Sequence, residues 1–440
     1  MQLSELKELL RSEGVVGAGG AGFPTYAKLS DKAETVILNC AECEPLLKLH
    51  RQVLEKYTAE ILGALSEIVK IMGAKRGIVA VKEHYKETLE AVSYEIDGYP
   101  TLSVHKLKSV YPSGDELILI KDVTGKTVKP GDLPISVGVV VCNVETVYNV
   151  HKALCGEAVT EKYVTVAGEV KTPVTLRVPI GTEASELIKA AGGVTVQEPT
   201  YIFGGLMMGK VGNKRDPITK TTNAIIVLPS DHSAVLNKKR NPNISLRRAM
   251  SVCCQCHSCT DLCSRHVAGY PVEPHMVMRI LSNGGKGDLK IIPGAMYCSG
   301  CGLCETYSCP QGLSPRALIA EIKTMAKNNG VKPAPVDLLP GDTLSEYRRV
   351  SVDRLAGRLG VKKYDVDAPI SEDFTVDKVK ILLSQHIGAP SVPCVSVGDT
   401  VKKGDTVAKA KDGALGVGIH ASIDGRVTAV TEKYITVVKK

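Results

Sequence analysis

Blocks of hydrophobic positions alternate with polar segments along the first third of the chain, and their periods predict strands and helices in turn. A short apolar run predicts a buried strand, whereas a longer run with helical periodicity predicts a helix. The predicted strands cover residues 35–39, 77–81, 101–107 and 137–141, and the predicted helices cover 50–72 and 86–94. This rhythm is typical of a doubly wound α/β domain, in which ligands bind at the carboxyl ends of the strands.

The pattern changes in the rest of the chain. Residues 163–193 predict two strands and then a helix that ends at a glycine pair, because glycine is common just after a helix C-terminus. Residues 231–243 are polar and basic and predict a linker, and the proline-rich segment 332–342 predicts a second boundary. From residue 379 onward short strands recur with turn residues between them, which predicts a further β-rich module.

Fourteen cysteines are present, and eight of them form two runs with nearly the same spacing. The first run is Cys253, Cys256, Cys259 and Cys263, and the second is Cys298, Cys301, Cys304 and Cys309. Three cysteines at two-residue spacing let one loop direct three thiolates at one metal centre. In two-cluster bacterial ferredoxins the fourth cysteine of each run ligates the other cluster. We therefore expect two 4Fe–4S clusters, the first on Cys253, Cys256, Cys259 and Cys309 and the second on Cys298, Cys301, Cys304 and Cys263.

Other interpretations of these cysteines are weaker. Structural zinc sites usually take their ligands as two pairs rather than as a triplet plus one. A disulfide framework is not needed, since a chain of 440 residues can bury a core without covalent links. Cys254 lies outside the two-residue register, and we expect it to be a buried bystander.

Composition narrows the classes of partner. The formal net charge is +8, and the chain has no Trp and only three Phe, so aromatic stacking on nucleic acid is poorly supplied. No basic stripe or recognition helix is evident, and we expect no nucleic-acid partner. No apolar run approaches the roughly 20 residues of a membrane span, and the N-terminus lacks the hydrophobic core of a signal peptide. These features predict a cytoplasmic protein.

Glycine-rich and polar segments supply candidate ligand-binding residues in the first domain. The glycines of residues 17–22 let the backbone approach a ligand closely, and Lys28 adds a cation. Residues 39–45, which contain Asn39, Glu42 and Glu44, follow a predicted strand and suit hydrogen bonding to a ribityl chain or a nicotinamide ribose. The pair Cys40 and Cys43 in this segment also allows a metal or redox interpretation.

Four motifs, in this order, resemble the flavin- and NADH-binding subunit of respiratory complex I and its relatives in the RnfC group. They are the glycine loop, N-x-x-E-x-E-P at 39–45, Y-x-x-G at 111–114 and N-V-E-T at 143–146. The resemblance implies FMN contacts from Gly17, Gly19, Gly20, Lys28, Asn39, Glu42, Gly114, Asp115, Asn143 and Thr146, and NADH contacts from Phe23, Glu44 and Glu116. Ala18, Ala41 and Cys142 stand where complex I has Arg, Asp and Asn, which implies fewer polar contacts to the flavin.

The remaining segments resemble other modules of the same family. The implied domains are an FMN/NADH-binding α/β domain (1–158), an SLBB β-grasp module (159–230), a two-cluster ferredoxin-like domain (244–330) and a barrel-sandwich hybrid (373–440). The hybrid resembles lipoyl and biotinyl carriers, but Ala414 stands where a carrier has its attachment lysine. Its position at the C-terminal end resembles the branch of cobalamin reductases found in propanediol-utilisation microcompartments.

These features imply an NADH-dependent flavoprotein reductase that passes single electrons to cobalamin or to a cobalamin-handling enzyme. A microcompartment location and a shell-protein partner are implied by the same branch. The N-terminal leucines at 3, 6, 9 and 10 predict an amphipathic helix, which could serve targeting or pack on its own domain. The alternative function is an electron relay between partner proteins, without an NADH site of its own.

Overall fold

A computed structural model describes residues 1–340 and 344–440 of the chain. The first domain is built on a parallel sheet with the order β3-β2-β1-β5, which places β1 at its centre. The strands are β1 (Thr35–Cys40), β2 (Arg76–Lys82), β3 (Leu102–Leu107), β4 (Val110–Tyr111) and β5 (Val139–Asn143). The helices are α1 (Leu3–Ser12), α2 (Thr25–Lys28), α3 (Leu49–Lys56), α4 (Thr58–Met72), α5 (Lys86–Ile96), α6 (Glu116–Thr124) and α7 (Val144–Leu154). The predicted doubly wound α/β class is confirmed.

Both faces of this sheet are buried because the side chains of β1 alternate between two cores. Val36 and Leu38 pack with α1, α3, α4, α5 and α7, whereas Ile37 packs on the opposite face with residues of α6. The predicted helix 50–72 is wrong in one respect, because it is two helices that break at Tyr57. Tyr57 has a non-helical backbone, and its ring stacks on Tyr148 with centroids 4.3 Å apart.

The second module is a six-stranded mixed sheet with the order β12-β7-β6-β10-β8-β9. Its elements are β6 (Glu161–Gly168), β7 (Val174–Pro179), α8 (Ala184–Ala190), β8 (Pro199–Phe203), β9 (Lys210–Gly212), β10 (Ala224–Pro229) and β12 (Ile370–Ser371). The last strand arrives from the far end of the chain. The two strands and helix predicted for 163–193 are confirmed.

The two cysteine runs lie mostly in loops between helices. The helices are α9 (Ser233–Lys238), α10 (Pro242–Val252), α11 (Ser258–Asp261), α12 (Ser264–Val267), α13 (Pro274–Ser282), α14 (Ile292–Ala295), α15 (Pro315–Asn328) and α16 (Val352–Leu359), with strand β11 (Val350–Ser351). The predicted linker 231–243 contains α9, whose Ala234 and Val235 are buried. The described part of the predicted boundary 332–342 has no helix or strand, and residues 341–342 lie outside the described residues.

The C-terminal module is a barrel of two small sheets with the orders β13-β19-β18-β15 and β14-β16-β17. The strands are β13 (Lys378–Leu382), β14 (Val392–Pro393), β15 (Thr400–Val401), β16 (Thr406–Lys409), β17 (Ile419–His420), β18 (Gly425–Val430) and β19 (Tyr434–Val438). Lys220 joins this barrel to the first domain, since its buried ammonium donates to the carbonyls of Gly14 (2.7 Å) and Gly418 (3.0 Å). Burial lowers the pKa of Lys220 to about 7. Among the helices that the structure describes, none is both long and apolar enough to cross a bilayer.

Candidate cofactor sites

A cavity of about 370 Å³ opens at the carboxyl ends of β1 and β5, between the glycine-rich loop and α6. Its volume lies within the range of roughly 300–1,000 Å³ that is usual for small-molecule sites. Ten of the thirteen residues that the sequence predicts to contact flavin or NADH line it: Gly17, Gly19, Gly20, Phe23, Lys28, Asn39, Gly114, Glu116, Asn143 and Thr146. The other three, Glu42, Glu44 and Asp115, do not line it.

The glycine-rich loop is held in a narrow hairpin whose backbone faces the cavity. The N–H of Gly17 donates to the carbonyl of Phe23 (2.9 Å), and the N–H of Ala18 donates to Thr146 Oγ1 (2.9 Å). A Cβ on Gly19 would lie only 2.5 Å from Asn143 Nδ2, so a side chain at this position would push the loop away from β5. A Cβ on Gly20 would meet no atom within 4 Å, which leaves open space for a ligand beside the backbone.

Two asparagines shape the opposite wall of the cavity. Asn39 donates to the carbonyl of Gly114 (3.1 Å) and accepts from the N–H of Ala41 (3.0 Å), which ties β1 to the turn before α6. Asn143 caps α7 by accepting from the N–H of Glu145 (2.9 Å). Some of the hydrogen bonds of both side chains therefore fix the shape of the site.

Charged groups enter the cavity from α2 and α6. Lys28 forms an ion pair with Glu116 (Nζ–Oε1 2.9 Å). The hydroxyl of Thr25, which also lines the cavity, is buried and has no hydrogen-bond partner among the described residues. A buried polar atom without a partner is costly unless a ligand or water satisfies it. This hydroxyl, the open space at Gly20 and the Lys28 ammonium fit a flavin with a phosphorylated side chain.

Glu42 lies behind the wall of the cavity rather than in it. It accepts from the backbone N–H of His50 (2.9 Å), and the His50 ring lies 3.1 Å from Asn143 Nδ2. Burial raises the pKa of Glu42 to about 7. Burial, together with the positive charge of Lys162, lowers the pKa of His50 to about 3. No pattern in the sequence pointed to His50, since a histidine in a predicted helix is usually a packed residue.

Glu44 and Asp115 are each bound to another domain. Glu44 accepts from the backbone N–H groups of Met207 (2.8 Å) and Met208 (3.0 Å) in the second module, and burial raises its pKa. Asp115 caps α6 and forms an ion pair with Arg265 in the cysteine-rich domain. Nη2 of Arg265 donates to Oδ1 (2.9 Å) and Oδ2 (2.7 Å) of Asp115. That either residue contacts flavin or NADH stays a prediction.

Cys263 lies among the cysteines of the second run. It lies within electrostatic range of Cys298 and Cys301, and Cys304 lies within the same range of all three. Cys263, Cys301 and Cys304 are only 7–8% exposed. The hydroxyl of Ser264 lies 3.7 Å from the Cys301 sulfur, and burial raises the pKa of the Cys301 thiol. Iron would stabilise these buried sulfurs as thiolates.

The first ligand set lies at the surface. Cys253, Cys256, Cys259 and Cys309 line one small cleft, and none of them is buried. The N–H of Leu313 points at the Cys309 sulfur (3.3 Å). The expectation that Cys254 is buried is wrong, because it is exposed at the rim of this cleft. The grouping agrees with the crossed ligand sets, whose assignment stays a prediction.

Tyr111 connects the cavity to the second set of cysteines. Its hydroxyl donates to the carbonyl of Cys301 (2.8 Å), and its ring is buried in a core that also contains Cys43. The Cys43 sulfur accepts from the N–H of Gly114 (3.4 Å), which lines the cavity. Cys43 is thus a packing residue between two sites, and burial raises the pKa of its thiol to about 12.

Family models match four segments of the chain. The Nuo51 FMN-binding domain matches residues 10–152, the SLBB domain matches 163–211, the 4Fe-4S dicluster domain matches 252–314, and the RnfC barrel sandwich hybrid domain matches 359–440. The predicted FMN and two 4Fe–4S clusters are therefore confirmed as cofactors of these domains, and the zinc interpretation is set aside.

A solved structure shows a related fold. The NAD+-reducing [NiFe]-hydrogenase in the H2-reduced state has a chain that aligns with a TM-score of 0.51 at 18% identity. The alignment covers 79% of this chain and 66% of that one.

Curated relatives extend over different shares of the chain. One subunit of the Na(+)-translocating ferredoxin:NAD(+) oxidoreductase complex of Acetobacterium woodii is 30% identical over 61% of this chain and 59% of its own length. Cobalamin reductase PduS of Citrobacter freundii is 40% identical over 99% of this chain and 96% of its own length. The Salmonella typhimurium protein of the same name is 40% identical over 100% and 97%. The chain belongs to the family of PduS cobalamin reductases.

Proposed function

We propose that this chain transfers electrons from NADH to cobalamin through FMN and two 4Fe–4S clusters. A bound flavin accepts two electrons as hydride and releases them singly, which an iron–sulfur cluster cannot do for itself. The chain's own residues hold the cofactors, exclude water and fix their spacing. The 40% identity to two cobalamin reductases, over 99% and 100% of this chain, supports cobalamin as the acceptor.

One observation carries the electron-transfer function. The buried Cys301 and Tyr111 belong to one core, in which the Tyr111 hydroxyl donates to the carbonyl of Cys301 (2.8 Å). Cys43 packs against the same core, and its sulfur accepts from the N–H of Gly114, which lines the cavity (3.4 Å). We propose that the second cluster, on Cys298, Cys301, Cys304 and Cys263, is the one next to the flavin. Cys253, Cys256, Cys259 and Cys309, none of which is buried, would hold the first cluster, which would supply the exit for single electrons.

The residues that line the cavity are proposed to hold FMN and NADH. Gly17, Gly19, Gly20, Lys28, Asn39, Gly114, Asn143 and Thr146 would contact FMN, and Phe23 and Glu116 would face NADH. Glu42, Glu44 and Asp115 are proposed to act through their neighbours, because none of them lines the cavity. The domain boundaries 1–158, 159–230, 244–330 and 373–440 are part of the same proposal.

The helix α1 bears on the proposed microcompartment partner. Leu6 and Leu10 are fully buried in the core of the first domain. An amphipathic targeting helix presents its apolar face to a partner, whereas this face is already packed. We therefore propose that α1 is structural, and that any contact with a shell protein uses another surface.

Anaerobic purification followed by NADH titration tests this function. NADH should bleach the flavin absorbance of the holoprotein, and added cob(III)alamin should then be converted to cob(II)alamin. Failure of NADH to bleach the flavin, with reduction by a reduced ferredoxin instead, would overturn the proposal in favour of a relay without its own NADH site.

A further inference from the structure

The segment before the first cluster has a one-sided charge. Between Asp231 and Asp261 there is no Asp or Glu, whereas this stretch contains Lys238, Lys239 and three arginines. Two of these, Arg247 and Arg248, are exposed on α10 immediately before the cluster cysteines. The sequence carried this signal, although the net charge of the whole chain conceals it.

Within the residues that the structure describes, Arg247 and Arg248 form no ion pair. Two arginines of the same domain are paired instead: Arg265 with Asp115 at 2.7 Å, and Arg316 with Glu305 at 2.5 Å. The positive charge of α10 is therefore free to act on an approaching molecule.

Apolar side chains lie beside the two arginines. Ile244, Met250 and Val252 are 59%, 51% and 47% exposed. The helix packs through Ser245 and Ala249 instead, so these larger side chains face outward. Arginine and methionine are enriched in protein interfaces, and methionine adapts to the shape of a partner.

Thiolates complete this surface. Cys254 and Cys256 are exposed directly after α10, and Cys256 belongs to the first ligand set. We define the α10 surface as Ile244, Arg247, Arg248, Met250, Val252, Cys254 and Cys256. It combines free positive charge, exposed apolar area and access to a cluster.

We propose that the α10 surface docks an acidic protein that takes electrons from the first cluster; this rests on the cluster order proposed above. In each encounter the reduced cluster loses one electron and the redox centre of the partner gains it, and no bond or proton is transferred. Attraction between opposite charges raises encounter rates by roughly 10- to 1,000-fold. Salt weakens this attraction, because it shortens the screening length to about 10 Å at 0.1 M.

Two haem proteins of opposite charge serve as probes: acidic cytochrome b5 and basic cytochrome c. The holoprotein is reduced with dithionite, freed of excess reductant and mixed with each oxidised probe, so the flavin and NADH steps are bypassed. The R247E/R248E variant should reduce cytochrome b5 about tenfold more slowly at low salt and cytochrome c faster. Added salt should shrink both differences.

A matched control carries the same change in net charge elsewhere. The K409E/K411E variant alters two exposed lysines of the C-terminal barrel and should leave both rates unchanged. Binding to immobilised cytochrome b5 gives a second readout, and R247E/R248E should weaken it by a similar factor. Iron content and the EPR spectra of both clusters should match those of the unaltered protein.

Other outcomes overturn the proposal. Unchanged rates, or an equal loss with both probes, would mean that electrons leave elsewhere. If sedimentation shows a dimer that R247E/R248E dissolves, the surface belongs to a second copy of this chain. Because dithionite replaces NADH, a failure here is distinct from a failure of the proposed NADH-dependent function.

Discussion

The two cysteine triplets have the same spacing in sequence, but the two ligand sets built on them have opposite surroundings in the fold. Three members of the second set are buried, whereas no member of the first set is. The second set packs against residues of other domains, including Tyr111 and Ile118, whereas the core around the first set contains only residues between 246 and 318. On the proposed ligand assignment, one cluster would be enclosed by residues of several domains, and the other would be held by its own domain.

This difference assigns separate tasks to two similar motifs. Exposure to water and hydrogen bonding to sulfur are among the factors that set the reduction potential of a cluster. Water and the nearby arginines of α10 stabilise the extra negative charge of a reduced cluster. The exposed first cluster should therefore have the higher potential, which favours electron flow from the buried end to the surface.

Removal of one ligand from each set tests the comparison most strongly. Cys304→Ala should remove the enclosed cluster and cost about 4 kcal/mol or more in the free energy of unfolding, because loss of a metal centre is among the largest single effects. Cys256→Ala should remove the exposed cluster, about half of the iron, and cost under about 2 kcal/mol. Iron analysis and thermal unfolding measure both.

Cys254→Ala is the matched control for these variants. Cys254 is exposed and lies outside both ligand sets, so its replacement should leave the iron content unchanged. Equal destabilisation by Cys304→Ala and Cys256→Ala would refute the asymmetry between the two clusters.

The ion pair between Asp115 and Arg265 attaches the cysteine-rich domain to the first domain, close to the second ligand set. Both side chains are only 11–12% exposed. Asp115→Asn keeps an α6 cap but leaves the guanidinium without its counter-charge, and it should cost about 3 kcal/mol. Denaturant unfolding measures this loss.

An exposed pair provides the contrast. Glu67 and Lys70 lie 3.5 Å apart on the surface of α4, and Glu67→Gln should cost under about 0.5 kcal/mol. A loss as small as this for Asp115→Asn would show that the attachment of the domains does not depend on the buried pair.

Local patterns in the sequence predicted what local physics determines. The strands around β1 follow from runs of apolar residues, and the two cysteine triplets follow from two-residue spacing within single loops. Glu44 and Asp115 could not be placed in this way. Their partners, Met207 and Arg265, are 163 and 150 residues away along the chain. No periodicity carries information about such contacts.

Exposure was also difficult to predict near the cysteines. The position of Cys254 outside the two-residue register predicts a buried cysteine, and this prediction is wrong. Its neighbours belong to a loop around an exposed cleft. The sequence did not predict helix α9, because the segment is mostly polar and only Ala234 and Val235 form its buried face.

Glu42 makes the stability of the first domain depend on pH. Its pKa rises from 4.5 to about 7 on folding, because burial disfavours the charged carboxylate. The folded protein therefore keeps a proton that the unfolded chain releases, and the free energy of unfolding should fall by about 2–3 kcal/mol as the pH rises from 4.5 to 7. Glu42→Gln should remove this contribution.

Urea unfolding between pH 5 and pH 8 checks this dependence. The segment around the first ligand set has no acidic residue between 232 and 260. The new carboxylates of R247E/R248E are exposed, so this variant should leave the change of unfolding free energy with pH nearly unchanged. An unaltered pH dependence in Glu42→Gln would mean that Glu42 is ionised in the folded protein.

Tyr111→Phe should produce the smallest effect and the most specific one. The substitution removes the hydrogen bond to the Cys301 carbonyl and should cost about 1 kcal/mol. Tyr270→Phe is the matched control, because its buried hydroxyl donates to the carbonyl of Val128 (2.7 Å) rather than to a cysteine. Both variants should lose similar stability, but only Tyr111→Phe should slow reduction of the second cluster by NADH, by a few-fold in stopped-flow EPR. Equal rates in the two variants would show that the Tyr111 hydroxyl has no part in joining the cavity to the enclosed cluster.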